Sequence, residues 1–380
     1  MIRDDLLAES QPELVELLQS EIGARGRVTF AWFMEQALSH PEHGYYTSGA
    51  ARAGFAGDFL TASETHPIFG HALARQIAEC WDLLGGPKPF VVREAGAGAG
   101  TLAIDILTGV RDERPDALAA MSYEVSDASE RRVVEALARV ADAGFGARVV
   151  RAGGEPFTGV LLANELLDAF PVHRLIVRRG ALHELYVVWR DGWFADEIGA
   201  LSSVRLVEGL HGLELAEGQR LEVSLMARDW AQGAARQLER GYAILIDYGY
   251  PARELYAAGS RFDGTLRTYS AHQAGIDPYR RVGAQDLTAH VDFTAISAAA
   301  SDAGCVELGL TSQAFFFAGL GIEQLLMRLQ TTASSADEYL TAREAVMRLL
   351  EPRGLGRFHV LALGRNVEPA RLRGFSFTLP

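Results

Sequence analysis

The sequence predicts an α/β fold built on a parallel sheet. Two observations carry the prediction. Between residues 90 and 250, short apolar runs alternate with stretches of helical periodicity. A glycine-rich turn, residues 96–100, stands between one such run and the helix that follows it. The 380 residues allow two structural units, or one domain with large insertions. With 48% apolar and 22% charged residues the composition is that of a globular protein able to bury a core, not of a disordered chain.

The elements follow in order. Residues 1–89 read as a helical cap or lid region without a clear strand. An amphipathic stretch runs from Gln11 to Ile22 and a second from Phe30 to Leu38, and a Gly/His-rich loop follows. Beyond it Phe69, Leu73, Ile77, Cys80 and Leu84 recur at helical spacing, with Pro67 suited to a first turn and Gly85-Gly86 to a stop. From residue 90 strand and helix alternate. Phe90–Ala95 is a strand, Leu102 to Val110 a helix and Met121 to Val125 a second strand. Asp127-x-x-Glu130 resembles a capping box that opens a helix ending near Gly144. Val160 to Ala163 and Ala243 to Ile246 are short apolar runs expected in a sheet covered on both faces. Ser335-x-x-Glu338 caps a helix that Pro352 terminates, and Phe358 to Leu363 forms a last strand. Residues 90–380 are thereby one domain, with insertions at about 180–240 and 250–300.

A net charge of −13 argues against nucleic-acid binding. The single lysine, Lys88, makes lysine catalysis a poor candidate. Cys80 and Cys305 stand in no metal-binding spacing and read as reduced core residues. His40, His43, His66 and His71 lack the companions a metal site needs, so no metal is expected. No apolar run reaches the length of a membrane span and the start lacks a leader, so no membrane association and a cytoplasmic location are expected. The oligomeric state is not legible.

Residues 94–101, Glu94-Ala95-Gly96-Ala97-Gly98-Ala99-Gly100-Thr101, carry the cofactor reading. Glycines at alternate positions allow a tight turn and close approach of a ligand, while the next helix offers its free N–H groups. A dinucleotide fingerprint would need glycine at position 101 and an acidic residue about 20 positions on. Thr101 and the later Glu124, 28 residues beyond Gly96, miss both requirements. The segment resembles motif I of class I S-adenosylmethionine (SAM) methyltransferases instead. A carboxylate at the tip of the second strand, Glu124, would then accept from the ribose hydroxyls.

Six further segments are quoted as they stand: residues 37–46, ending His43-Gly44-Tyr45-Tyr46; Gly57-Asp58-Phe59-Leu60-Thr61-Ala62; Asn164-Glu165-Leu166-Leu167-Asp168-Ala169-Phe170-Pro171-Val172; Asp247-Tyr248-Gly249; Gly264-Thr265-Leu266-Arg267; and Asp286-Leu287-Thr288-Ala289-His290-Val291-Asp292-Phe293. Jointly they resemble the signatures of the MidA family of class I methyltransferase-like proteins, over nearly the whole chain. Two places depart from that pattern: His66-Pro67 stands where the family commonly has Ser-Pro, and residues 125–130 lack its Ser-Pro and downstream glutamine.

The resemblance implies a Rossmann-like class I core with a seven-stranded, mostly parallel sheet, SAM as cofactor, and a protein arginine N-methyltransferase acting on an arginine side chain of a protein partner. A small-molecule N- or O-methyltransferase and a non-catalytic SAM-binding assembly factor are the alternatives. Candidate cofactor contacts are Glu94, Gly96, Ala97, Gly98, Gly100, Glu124 and Asn164, with Asp58 or Thr61 at the methionine end. Glu165 and Asp168 are the candidate catalytic carboxylates, because a guanidinium has no acceptor, stays protonated and needs carboxylates to orient it. Asp168 can equally cap a helix beginning near Ala169, and Asp247-Tyr248-Gly249 can line the crevice or merely turn the chain. The triple Phe315-Phe316-Phe317 is expected in the core.

Overall fold

The structure is a computed structural model and describes residues 3–48, 63, 66–259, 261–270 and 273–377. Asp58 and Thr61 lie outside the described residues. The chain divides into two compact units, one of Met1–Leu60, Leu167–Trp230 and Gly249–Ile296, the other of Thr61–Leu166, Ala231–Tyr248 and Ser297–Pro380.

The second unit holds a seven-stranded sheet. Its strands are β1 (Phe90–Ala95), β2 (Met121–Ser126), β3 (Val149–Arg151), β4 (Phe157–Asn164), β5 (Leu238–Asp247), β6 (Val306–Ser312) and β7 (His359–Arg365), in the spatial order β3-β2-β1-β4-β5-β7-β6. Only β7 runs antiparallel to its neighbours. The sheet order reverses between β1 and β4, so a crevice opens beyond their carboxyl ends, which is where ligands bind in open α/β sheets. Every residue of β1 is buried, as expected of a strand covered on both faces.

Helices α1 (Ile68–Leu83), α2 (Thr101–Glu113) and α3 (Glu130–Val140) belong to the same unit. α1 and α2 cross closely at small residues: a Cβ on Gly70 would fall 2.4 Å from the Asp105 Cβ, and one on Gly109 2.7 Å from that of Ala74. Phe69, Leu73, Ile77, Cys80 and Leu84 join the sheet's core, and so do Phe316 and Phe317, whereas Phe315 is exposed and stacks near Phe377.

The division departs from a boundary at residue 90. α1 lies not with the N-terminal helices but in the sheet unit, where its burial extends to Arg75 and Gln76. Arg75 explains this: it forms a 2.8 Å ion pair with Glu113 and caps the carbonyls of Leu320 and Gly321. At His66-Pro67, where the family commonly has Ser-Pro, the His66 Nδ1 accepts from the Ile68 N–H at 3.1 Å at the start of α1.

The first unit combines helices Pro12–Arg25 and Phe30–Ser39 with a five-stranded antiparallel sheet. The sheet pairs Val28–Thr29, a strand within the stretch read as helical, with Ala181–Arg190, and adds His173–Arg178, Trp193–Gly199 and Arg220–Val223. The segment read as an insertion at 180–240 thus contributes three strands to this sheet, followed by the helix Leu225–Gln237. Leu14, Leu18, Phe30, Phe33, Val187 and Phe194 form its core.

Candidate active site at the carboxyl edge of the sheet

After β1 the chain turns through Gly96, Gly98 and Gly100, all at positive φ (74°, 54° and 78°), before α2 begins. The Gly96 and Ala97 N–H groups both donate to the Ser126 carbonyl, which fastens the turn to β2. A Cβ on Gly96 would stand 3.0 Å from Leu166, and one on Gly100 3.0 Å from Ala136. At Gly98 the nearest atom is Arg132 Nη1 at 3.8 Å, so this is the open side of the turn. Ala97 contributes its side chain to the core instead.

Glu94 lies one residue short of the end of β1, 3% exposed, and accepts from the Tyr123 hydroxyl at 2.8 Å. Burial raises its carboxyl from 4.5 to about 7, against the opposing hydrogen bond from Tyr123. Asp105 on α2 is raised from 3.8 to about 7 by the same cause, against the charge of Arg139. Such groups favour the folded state while protonated and lose that contribution as pH rises from near 4 through 7. At one pKa unit to about 1.4 kcal/mol, Glu94 opposes folding by on the order of 3 kcal/mol at pH 8. Burial lowers His66, His71 and His290, which act in the opposite sense below pH 6.5, so the readout is a difference between proteins. Without cofactor, Glu94→Gln is expected to gain melting temperature on the wild type between pH 5 and pH 8; a pH-independent gap would overturn the reading.

Glu124 sits within β2, two residues before its end, rather than at the tip. Its Oε2 accepts from Arg93 Nε at 2.7 Å, and Oε1 has no hydrogen bond among the described residues. The carboxylate beyond the tip is Asp127, whose Oδ2 accepts from the Gly98 N–H at 3.0 Å and Oδ1 from the Ser129 N–H at 2.9 Å. The expected capping box is therefore not formed. Ser129 is the N-cap of α3 without a side-chain bond, and Glu130 pairs with Arg151. Asp127 clamps the glycine turn, a role the sequence pattern does not distinguish, because a carboxylate just after a strand fits a cap and a loop clamp equally.

At the end of β4, Asn164 donates through Nδ2 to Ser63 Oγ at 3.5 Å and Glu165 Oε1 at 3.4 Å. Its buried Oδ1 has no hydrogen-bond partner among the described residues. A buried acceptor left unpaired is costly and points to an absent donor. Glu165 follows at φ 50°, a left-handed conformation that costs a non-glycine residue about 1–2 kcal/mol and clusters at functional sites. Asp168 belongs to the first unit. No helix begins at Ala169; residues 167–170 form a turn closed by Phe170 N–H to Leu167 O at 3.2 Å, so Asp168 is not a helix cap. Within its unit its charge adds to burial and to Asp286 in raising the Tyr46 hydroxyl, which donates to Asp286 at 2.6 Å. Among the described residues no group of His, Cys, Asp and Glu is arranged to hold a metal. The His40 ring stacks on that of His43 at 5.1 Å.

An open glycine turn before a helix, and an orphaned acceptor at the next strand tip, fit a nucleoside cofactor that carries an amino acid. Residues 72–311 match the family described as "Putative S-adenosyl-L-methionine-dependent methyltransferase". The chain belongs to this family. A solved structure from Burkholderia thailandensis, bound to S-adenosyl-homocysteine, is similar at 34% identity and a TM-score of 0.88, over 99% of this chain and 97% of that one. Among curated proteins, the Drosophila melanogaster "Protein arginine methyltransferase NDUFAF7 homolog, mitochondrial" is 29% identical over 94% of this chain and 86% of its own length. The Mus musculus "Protein arginine methyltransferase NDUFAF7, mitochondrial" is 27% identical over 91% of this chain and 83% of its own length. The MidA resemblance and the class I core are thereby borne out, and the chain is a SAM-dependent methyltransferase. In this methyltransferase the first turn of α2 and Asn164 Oδ1 are the groups suited to hold the cofactor, with open space for it at Gly98.

Proposed function

We propose that this methyltransferase transfers methyl groups to arginine side chains of a protein substrate. The observation that carries the reading is Glu165, a carboxylate on strained backbone at the tip of β4, beside Asn164. The names of the curated relatives support it. They are named mitochondrial, and the expected cytoplasmic location draws no support from them.

SAM, when bound, supplies an electrophilic methyl group on a sulfonium. The chain's own residues do the rest. The N–H groups opening α2 would receive the carboxylate end of the cofactor, which the missing side chain at Gly98 lets come close, and Asn164 Oδ1 would accept from one of its donors. Glu124 Oε1 would take a ribose hydroxyl. The Glu165 carboxylate would align the guanidinium and accept the proton the attacking nitrogen loses; alignment and exclusion of water account for most of the rate.

The test incubates the purified protein with methyl-labelled SAM and a lysate of its host lacking the gene. Label in protein, released as methylarginine on digestion, supports the reading. Label confined to small molecules replaces it with a small-molecule methyltransferase, and no transfer with intact SAM binding favours an assembly factor.

A further inference from the structure

We infer that Asp247 is a positioning residue for methyl transfer, holding the main chain after β4 in the left-handed exit that presents Glu165. The inference rests on the reading of Glu165 given above. Asp247 ends β5 and is 1% exposed. Its backbone neighbours set the geometry. In the parallel ladder Asn164 stands opposite Ile246, and the Glu165 N–H still donates to the Ile246 carbonyl at 2.9 Å. At Glu165 the chain turns to φ 50°, so the next amide can no longer meet the ladder. The Leu166 N–H donates instead to Asp247 Oδ2 at 3.0 Å, while Oδ1 accepts from the Tyr248 N–H at 2.7 Å. The carboxylate thus stands in for the missing carbonyl of β5, with the added strength of a charged acceptor. Leu166 is also the side chain that a Cβ on Gly96 would meet at 3.0 Å, so the same clamp fixes the wall of the glycine turn. A tight turn at Gly249 accounts for none of this.

Asp247→Asn keeps the shape but offers one acceptor and turns an amide NH2 toward the other N–H. Label transfer at saturating SAM is expected to fall about 10- to 100-fold, the scale of an ångström-sized misplacement. Affinity for S-adenosyl-homocysteine should stay within about threefold, and hydrogen exchange at the Leu166 amide should quicken by about tenfold or more. In a Glu165→Gln background the same change should cost less than about threefold further, because both act through one group. Unchanged exchange at Leu166, additive losses, or a fall in homocysteine-ligand affinity equal to the fall in transfer would each overturn the inference. Should Asp247→Asn not fold, Asp247→Glu displaces the carboxylate with its charge kept and is read in the same way. A wild type that transfers methyl to no acceptor defeats the reading of Glu165 as substrate ligand, whereas the exchange and affinity measurements still decide whether Asp247 clamps the turn.

Discussion

Glu165→Gln is expected to lower methyl transfer by about 10²–10⁴-fold, the range for losing a positioned proton acceptor, while affinity for S-adenosyl-homocysteine stays within about threefold. The two side chains have the same size, and glutamine can keep the contact with Asn164 Nδ2, made at 3.4 Å by Glu165 Oε1. What glutamine lacks is charge and basicity. A guanidinium stays protonated above pH 12, so an attacking nitrogen needs a carboxylate both to fix its plane and to take its proton as the new bond forms. The backbone argument points the same way. A glutamate at φ 50° is held against its own preference, and a purely structural turn would be served better by glycine. Glu165→Gly is the companion variant: it relieves the strain, so its melting temperature should not fall, yet its transfer should fall as far as that of the glutamine variant. Transfer equal to wild type in Glu165→Gln removes Glu165 from the mechanism.

The parts of this site legible in the sequence are those where chemistry and local geometry coincide. Alternating glycines between a strand and a helix have few other uses, and Asn164-Glu165 follows an apolar run whose end had to face the crevice. Position along a strand was less legible: the second apolar run gives no sign that β2 continues to Ser126, so Glu124 was placed at a tip it does not occupy. Asp127 and Asp247 were ambiguous for a related reason, since one partner of each, the Gly98 N–H and the Leu166 N–H, is a main-chain group distant in sequence, which leaves no mark on composition. The antiparallel sheet of the first unit was more readable than its treatment as an insertion suggests. Arg179-Gly180 and Asp191-Gly192 both take positive φ between apolar runs, and Asp-Gly in that setting is a strong hairpin signal. No periodicity in α1 distinguishes a helix on the sheet from one in a cap, because it is buried nearly all round and its assignment depends on Arg75 reaching Glu113 and the carbonyls of Leu320 and Gly321.

Glu124→Ala is expected to lower stability as well as cofactor affinity, because the residue has two oxygens with different work. Arg93 is 5% exposed in its side chain and lies over the Phe157 ring at 4.2 Å, with Gln237 and the Glu155 carbonyl as its neutral partners. Glu124 supplies the only formal negative charge among those contacts. Removing one member of a buried pair costs about 3–5 kcal/mol, which for a large domain at about 2–4 °C per kcal/mol is a drop of about 6–20 °C in melting temperature. Glu124→Gln keeps an oxygen for Arg93 Nε and should recover much of that loss. It does not recover the charged acceptor that a ribose hydroxyl would use at Oε1, so affinity for S-adenosyl-homocysteine should fall about tenfold or more in both variants, the worth of a hydrogen bond to a charged group. The pair therefore separates the two roles: stability follows the oxygen on Arg93, and affinity follows the charge. A glutamine variant that binds S-adenosyl-homocysteine as the wild type does would leave Glu124 as the counterion of Arg93 alone, and the ribose contact would then have to come from another residue at the end of β2.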